Sequence, residues 1–332
     1  TIVLQSNVTL TASLNVAADK TVTLDLNSCK ITADMNGPHM ICNAGNLTIT
    51  DSSENKTGEI AKIGAETNFG YVIENHGTMT LDRCKISSTS VKSSAIENGW
   101  YTASANTAGT SCTMTIQNAE VVSVNAAGGL YTVKNDDYGV MVINGGVFTN
   151  GVAGAGAVLN WNDLTINGGT FTGASAVRTL KSGSSDFETG KSQIKNGTFN
   201  GGIDTLDGYK TGITIAVTGG TFSTDVKEYL AEGKILQKNG DTYTAVTNSG
   251  ITSGTYTAKP TVPDGYKVVE NTDGTFTVEK VGGYYYYQPT TDTKTNDTKG
   301  SPKTFDAGIA LYVGMALTSA AGVAFVGKKR ED

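Results

Sequence analysis

The chain has 332 residues, of which 38% are hydrophobic and 17% charged, and its formal net charge is −6. Glycine is abundant (41 residues) and proline scarce (5), a balance typical of a large core with many tight turns. The negative charge is spread along the chain without a basic stripe, which argues against nucleic-acid binding.

The N-terminal residues 1–20 are predicted to form short strands that cover the open end of a repeat domain. A repeat protein without such a cover exposes a sheet edge that promotes aggregation. Because the first residue, Thr1, is not methionine, we expect that an export signal has been removed or trimmed.

From Leu24 to Phe222 the chain repeats one pattern: apolar, polar, apolar, two polar, small, polar, apolar. This pattern predicts a half-buried strand, a tight bend and a second strand. The copies are residues 24–31, 79–86, 114–121, 141–148, 164–171, 192–199 and 215–222.

The spacing of the copies indicates the fold. Phe148 and Phe171 are 23 positions apart, as are Phe199 and Phe222. A fixed minimum period with some longer steps indicates a solenoid whose extra residues leave as loops, here 51–69, 99–111 and 181–191. A period of about 23 residues suits three short strands and three turns, which is one coil of a right-handed parallel β-helix.

A second column of the repeat carries asparagine. The series is Asn43, Asn75, Asn98, Asn135 and Asn160, each preceded by one apolar and one outward-facing residue. Amides stacked about 4.8 Å apart can donate and accept along the column, which predicts an asparagine ladder. Residues 1–222 therefore resemble parallel β-helix proteins of the pectate-lyase-like class. The resemblance implies an all-β solenoid in a class that includes lyases, glycosidases and esterases.

The pattern changes after Phe222. Residues 223–247 predict a C-terminal cap, with a short helix at 223–233 and a hairpin that turns at Asn239-Gly240. Residues 248–280 predict a small β module. Residues 281–303, which include Tyr284 to Tyr287, lack apolar periodicity and predict a disordered linker.

The tail, residues 301–332, carries an uncharged stretch at 307–327 followed by Lys328-Lys329-Arg330. Its length predicts one transmembrane helix whose basic end is cytoplasmic. With Ser301-Pro302-Lys303-Thr304-Phe305 before it, the tail resembles the cell-wall sorting signal of Gram-positive surface proteins. Pro302 and Thr304 match the Leu-Pro-x-Thr-Gly motif, whereas Ser301 and Phe305 replace its Leu and Gly. The resemblance implies sortase and peptidoglycan as partners and a location on the cell surface; a plain single-span anchor is the alternative.

Two groups of residues are candidates for chemistry. Glu74 and Glu97 are expected on consecutive repeats, about 5 Å apart, as in a retaining glycosidase. Because Lys134 continues their column, we favour a solvated row of charges.

The second group lies just after the asparagine column. It comprises His76, Trp100, Tyr101, Asp136, Asp137, Tyr138, Trp161 and Asp163. Aromatic faces beside hydrogen-bonding groups suit a sugar ring, although ordinary exposed turn aromatics are the alternative. The acids could instead hold Ca²⁺, but no dense carboxylate loop is present. Two histidines and no Cys-x-x-Cys pair predict no zinc site and no cofactor.

The sequence therefore favours a monomeric, non-catalytic surface protein for adhesion or glycan contact. One alternative is a polysaccharide-active enzyme that uses Glu74 and Glu97, or Asp136, Asp137 and Asp163. The other alternative is a structural spacer.

Overall fold

The computed structural model describes residues 1–64, 68–101, 105–124, 130–181 and 190–282. Residues Thr1–Gly282 form one compact unit. The predicted sorting signal, the transmembrane helix and all of the predicted linker beyond Gly282 lie outside the described residues. Within the described ranges, no helix has the length and apolar character needed to cross a membrane.

Nearly all regular structure in these ranges is β-strand. In chain order the strands are β1 (Ile2–Val3), β2 (Val8–Thr9), β3 (Leu14–Val16), β4 (Thr21–Asp25), β5 (Lys30–Ala33), β6 (Ile41–Asn43), β7 (Asn46–Thr50), β8 (Glu59–Lys62), β9 (Ile73–Asn75), β10 (Thr78–Ser88), β11 (Ile96–Asn98), β12 (Cys112–Ser123), β13 (Tyr131–Asn135), β14 (Gly139–Ile143), β15 (Gly146–Asn150), β16 (Gly156–Asn160), β17 (Asp163–Ile166), β18 (Thr170–Thr179), β19 (Lys191–Ile194), β20 (Thr198–Asp204), β21 (Thr214–Val217), β22 (Thr221–Phe222), β23 (Lys234–Asn239), β24 (Thr242–Thr247), β25 (Gly254–Tyr256), β26 (Tyr266–Glu270) and β27 (Phe276–Lys280). The prediction of an all-β fold is confirmed for the described residues.

The strands up to β22 pair in parallel and in three columns. Column A runs β1, β4, β7, β10, β12, β14, β17, β19, β21. Column B runs β2, β5, β8, β10, β12, β15, β18, β20, β22. Column C runs β3, β6, β9, β11, β13, β16, β18, β20. The long strands β10, β12, β18 and β20 each contribute to two columns.

The repeated pattern sets the register of these columns. Ile116 pairs with Leu81 on one side and Ile143 on the other, and Ile143 pairs with Ile166. Since side chains alternate across a strand, this register places one apolar residue of each copy on the same inner line. The four side chains are fully buried in one continuous core, which bears out the two-residue periodicity.

Column B carries an inner stack of phenylalanines. The ring centroids of Phe148 and Phe171 are 4.9 Å apart, those of Phe171 and Phe199 are 5.0 Å apart, and those of Phe199 and Phe222 are 4.9 Å apart. Successive rings are within 8° of parallel, and all four are completely buried. Because neighbouring strands lie about 4.8 Å apart, the stacked rings have nearly the same spacing.

The bend between columns A and B requires glycine in the later copies. Gly146 has φ = +112°, and a Cβ built there would lie 2.2 Å from the carbonyl oxygen of Ala119. Only a residue without a side chain fits that approach and that left-handed backbone. This explains the small position in the repeated pattern.

Column C carries the asparagine ladder. Each Nδ2 donates to the Oδ1 of the next member, from Asn43 to Asn75 (2.7 Å), Asn98 (2.7 Å), Asn135 (2.8 Å) and Asn160 (2.8 Å). All five side chains are buried. Their amide groups also donate to backbone carbonyl oxygens of the turns, for example from Asn135 Nδ2 to the carbonyl oxygen of Gly139 (3.0 Å). The predicted stacking of asparagines is confirmed.

The segment after β22 differs from the prediction. The expected helix at 223–233 is a single 3-10 turn, Lys227–Tyr229. The 3-10 turn ends because Leu230 is extended and forms a β-bridge with Val217, the last residue of column A. The backbone N–H of Ala231 also donates to the Val217 carbonyl oxygen (2.9 Å). Pairing with the sheet therefore replaces further helix.

The predicted hairpin is β23–β24, which pairs Asn239 with Thr242 around a two-residue loop that begins at Gly240, φ = +60°. Its strand β24 pairs antiparallel with β22. The residues of the predicted β module form β25, β26 and β27, all antiparallel, and β25 pairs with β23. A second apolar cluster, which includes Ile235 and Tyr256, packs beneath them.

Candidate functional site

The outer side of column C carries Glu74, Glu97 and Lys134 in register. The expectation that they form a solvated row is wrong. Glu97 is 1% exposed, and the side chain of Lys134 is 13% exposed. Glu97 and Lys134 are covered by aromatic side chains from irregular segments, since Lys134 Nζ lies 5.2 Å from the ring centroid of Tyr101 and Tyr71 is buried beside Glu97. Glu74 is partly buried, with 20% of its side chain exposed.

Three ionisable side chains form the floor of this region. Lys134 Nζ donates to Asp136 Oδ2 at 2.6 Å and lies 3.7 Å from Glu97 Oε1. Burial, together with the effect of Asp136, raises the pKa of Glu97 to about 8 against the opposing effect of Lys134. Burial acts to lower the pKa of Lys134, but the two carboxyl groups hold it above its usual value. At neutral pH the floor therefore holds an ammonium–carboxylate pair beside a protonated Glu97.

Two hydroxyl groups lie near this floor. Both are buried; the Tyr71 hydroxyl interacts with the Glu97 carboxyl group, whereas Ser94 Oγ makes no hydrogen bond among the described residues. Burial raises the pKa of Tyr71 far above its usual value, and the nearby Glu97 adds to the shift. An unpaired buried hydroxyl costs free energy that a ligand with matching groups recovers.

Both histidines of the chain converge on Glu74. The backbone N–H of Tyr71 donates to His39 Nδ1 (3.0 Å), so the proton of the neutral ring is on Nε2, which lies 3.4 Å from Glu74 Oε1. His76 Nε2 is 3.9 Å from the same oxygen, and its ring stacks on Trp100 with centroids 4.5 Å apart. Trp100 in turn meets Tyr138 edge to face.

The eight residues predicted as a ligand surface do not form one site. His76, Trp100 and Tyr138 form the group just described, and the N–H of Trp100 donates to the carbonyl oxygen of Asp137 (3.0 Å). Asp137 is itself 1% exposed, and Asp136 is bound to Lys134.

The other predicted members lie elsewhere. Trp161 meets Tyr209 edge to face and packs with the cluster of Tyr131, Leu159 and Leu180. Asp163 begins β17 in column A, between Val140 and Lys191. Of the three aspartates of the enzyme alternative, Asp136 is bound to Lys134 and Asp137 is buried.

A pocket of about 200 Å³ opens above the buried floor. Its lining includes Tyr71, Ser94, Tyr101, Tyr131, Lys134 and Leu159. Of the predicted ligand residues that the structure describes, only Tyr101 lines it. Lys134 could have been found from its place in the column of Glu74 and Glu97. Tyr71 and Ser94 come from irregular segments without periodicity, so no sequence signal marks them.

The acids do not assemble a metal centre in the described part of the chain. No group of three His, Cys, Asp or Glu side chains there, the one around Glu74 included, has an arrangement that could hold a metal ion. Asp136, one of the acids considered for Ca²⁺, instead neutralises Lys134.

No protein-family model, curated protein or solved structure matches this chain. The site is therefore interpreted from its own chemistry. Aromatic walls, the unpaired hydroxyl of Ser94 and a buried ammonium suit a small ring that has both an apolar face and hydroxyl groups. The protonated Glu97 beneath them is a potential proton donor.

Proposed function

We propose that the chain is a non-catalytic extracellular protein that presents a right-handed parallel β-helix for glycan contact or adhesion. The three columns of parallel strands, the asparagine stacking and the 23-residue period support the β-helix. The sorting-signal resemblance of residues 301–332 supports export, a membrane span at 307–327 before sorting, and transfer to peptidoglycan by a sortase.

The pocket above Lys134 is the observation that carries the binding function. Tyr71, Tyr101 and Tyr131 contribute ring surface to its lining, and Ser94 and Lys134 contribute polar groups. The CH face of a sugar stacks on aromatic rings while its hydroxyls require polar partners, so this combination matches a carbohydrate. A chain that served only as a spacer would have no need of such a pocket.

Glycan-array binding by the full chain, in a detergent without sugar groups, tests this proposal. We expect binding that Tyr101→Ala reduces at least about tenfold, because the ring is 68% exposed and contributes contact area to the pocket rather than to the core. Tyr209→Ala is the matched control, an aromatic that is 41% exposed and outside the lining of the pocket. Absence of glycan binding, or equal loss in both variants, would overturn the proposal.

A second candidate function is glycoside hydrolysis, favoured by one observation. Glu97 has a pKa raised to about 8 and pairs in register with Glu74, as the acid and nucleophile of a retaining enzyme would. Glu97 does not line the pocket, which opposes this function because the acid must touch the glycosidic oxygen. Release of reducing ends from polysaccharides, abolished by Glu97→Gln, would establish it.

A further inference from the structure

We propose that the pocket captures the single terminal ring of a glycan, with the hydroxyl of Ser94 as a partner for a ring hydroxyl and Tyr101 as the stacking face. The inference rests on the proposed function and adds to it the part of the glycan that is recognised. It separates recognition of a chain end from recognition of an internal stretch.

The size of the pocket limits the ligand to one ring. Its volume is about 200 Å³, below the roughly 300–1,000 Å³ of sites for drug-sized molecules. The floor is closed by Lys134, which is bound to Asp136. A longer segment of glycan would have to lie outside the pocket, where it gains little contact.

The polar groups of the pocket match hydroxyls. Ser94 is 1% exposed, and its hydroxyl oxygen makes no hydrogen bond within the described ranges. A ring hydroxyl can donate to Ser94 Oγ or accept from it, whereas an apolar ligand would leave this oxygen unpaired. This favours a ring with several hydroxyls over an apolar ring.

Tyr101 is placed to cover the bound ring. Its ring meets Phe69 edge to face at 6.0 Å and lies over Lys134 Nζ at 5.2 Å. Phe69 is 48% exposed, so both aromatics border the pocket from the solvent side. A rotation of the exposed Tyr101 side chain admits the ring and then stacks on its CH face.

The test compares ligand lengths on the full chain. Methyl glycosides of glucose, galactose, mannose and N-acetylglucosamine are titrated by calorimetry beside the tetrasaccharide of each sugar. We expect one methyl glycoside to bind within about fivefold of its tetrasaccharide. We also expect O-methylation of the terminal ring of that tetrasaccharide to weaken binding at least about tenfold, because the bond to Ser94 is lost and the added methyl groups do not fit the pocket.

A matched pair of variants tests the hydroxyl partner. Ser94→Ala and Ser123→Ala each remove a buried, unpaired serine hydroxyl, but Ser123 lies in column B and does not line the pocket. Both variants should fold, because neither deletion breaks a hydrogen bond. We expect Ser94→Ala alone to weaken binding of the methyl glycoside, about fivefold.

The outcomes separate the two proposals. A tetrasaccharide that binds more than about a hundredfold tighter than its methyl glycoside would overturn the single-ring inference and leave glycan binding intact. Equal binding by the two serine variants would also overturn it. Absence of binding by ligands of both lengths would overturn the inference and the proposed function together.

Discussion

Lys134 Nζ lies 3.7 Å from Glu97 Oε1 in a site from which water is largely excluded. The geometry alone suggests a buried ion pair. However, Asp136 Oδ2 is closer to the ammonium, at 2.6 Å, and it neutralises the charge first. The cost of burying Glu97 outweighs the lowering effect of Lys134, and Asp136 adds to the rise, so the pKa of Glu97 is raised to about 8.

This arrangement predicts a pH dependence of stability. The pKa of Glu97 is about 8 in the folded chain and 4.5 in the reference state, so the folded chain binds its proton more tightly. The associated stability is fully present below about pH 4.5 and is lost as the pH rises to about 8. Glu97→Gln, which mimics the protonated form, should therefore exceed the wild type in unfolding free energy by on the order of 2–4 kcal/mol at high pH.

Urea unfolding of both proteins at several pH values measures this difference. The gap between Glu97→Gln and wild type should widen from pH 4.5 to pH 8 and then remain constant. A gap that narrows over the same interval would show that Glu97 is held as a stabilising carboxylate.

The asparagine ladder gives a second prediction. Asn98 accepts from Asn75 (2.7 Å) and donates to Asn135 (2.8 Å) in a fully buried row. Asn98→Ala leaves both neighbours unsatisfied, and we expect a loss of about 1–3 kcal/mol in unfolding free energy. An unchanged urea midpoint would contradict the role of the ladder.

An exposed amide row supplies the control. Asn144 donates to Gln117 Oε1 (2.8 Å) and accepts from Asn167 (2.7 Å), with the same chemistry in contact with water. Asn144→Ala should change stability by less than about 0.5 kcal/mol, because water replaces the lost partners. Equal losses of unfolding free energy in Asn98→Ala and Asn144→Ala would show that burial is not the reason for the cost at Asn98.

The parts of the fold that repeat were predictable, and the parts of the site that do not repeat were not. Asn98 and Phe171 recur in register, so a local pattern reports a long-range pairing. The burial of Glu97 depends on Tyr71 and Tyr101, which no periodicity connects to it. The expected helix after Phe222 failed for a similar reason, because pairing of Leu230 with the sheet overrides local propensity.

The turn around Asp51 gives a third prediction. Asp51 Oδ1 accepts from the N–H groups of Ser28 (3.1 Å) and Ser53 (2.9 Å), and Oδ2 accepts from that of Gly58 (2.6 Å). Burial acts to raise the pKa of Asp51, but these bonds and the Ser53 hydroxyl lower it below its usual value. Asp51→Asn places a side-chain amide N–H₂ opposite a backbone N–H donor, and it should lower the unfolding free energy by about 1–3 kcal/mol at pH 7.

The direction in which stability changes with pH distinguishes Asp51 from Glu97. A lowered pKa stabilises the fold above the reference pKa of 3.8, and the effect is lost as the pH falls through the lower folded value. The loss of unfolding free energy caused by Asp51→Asn, relative to the wild type, should therefore become smaller at acidic pH. Asp19→Asn, at a site 71% exposed, should show almost no deficit at any pH. A deficit of Asp51→Asn that persists unchanged into acid would contradict the assignment.

The phenylalanine stack gives the last prediction. Phe171 lies between Phe148 and Phe199, with centroids 4.9 Å and 5.0 Å away, and is completely buried. Phe171→Ala removes both ring contacts and leaves a cavity that paired strands cannot close, so we expect a loss of about 3–5 kcal/mol in unfolding free energy. Val147→Ala is the control, since this side chain points outward from the same column and is 44% exposed. It should cost less than about 0.5 kcal/mol. Comparable losses at the two positions in urea unfolding would mean that the ring stack adds nothing to the stability of column B.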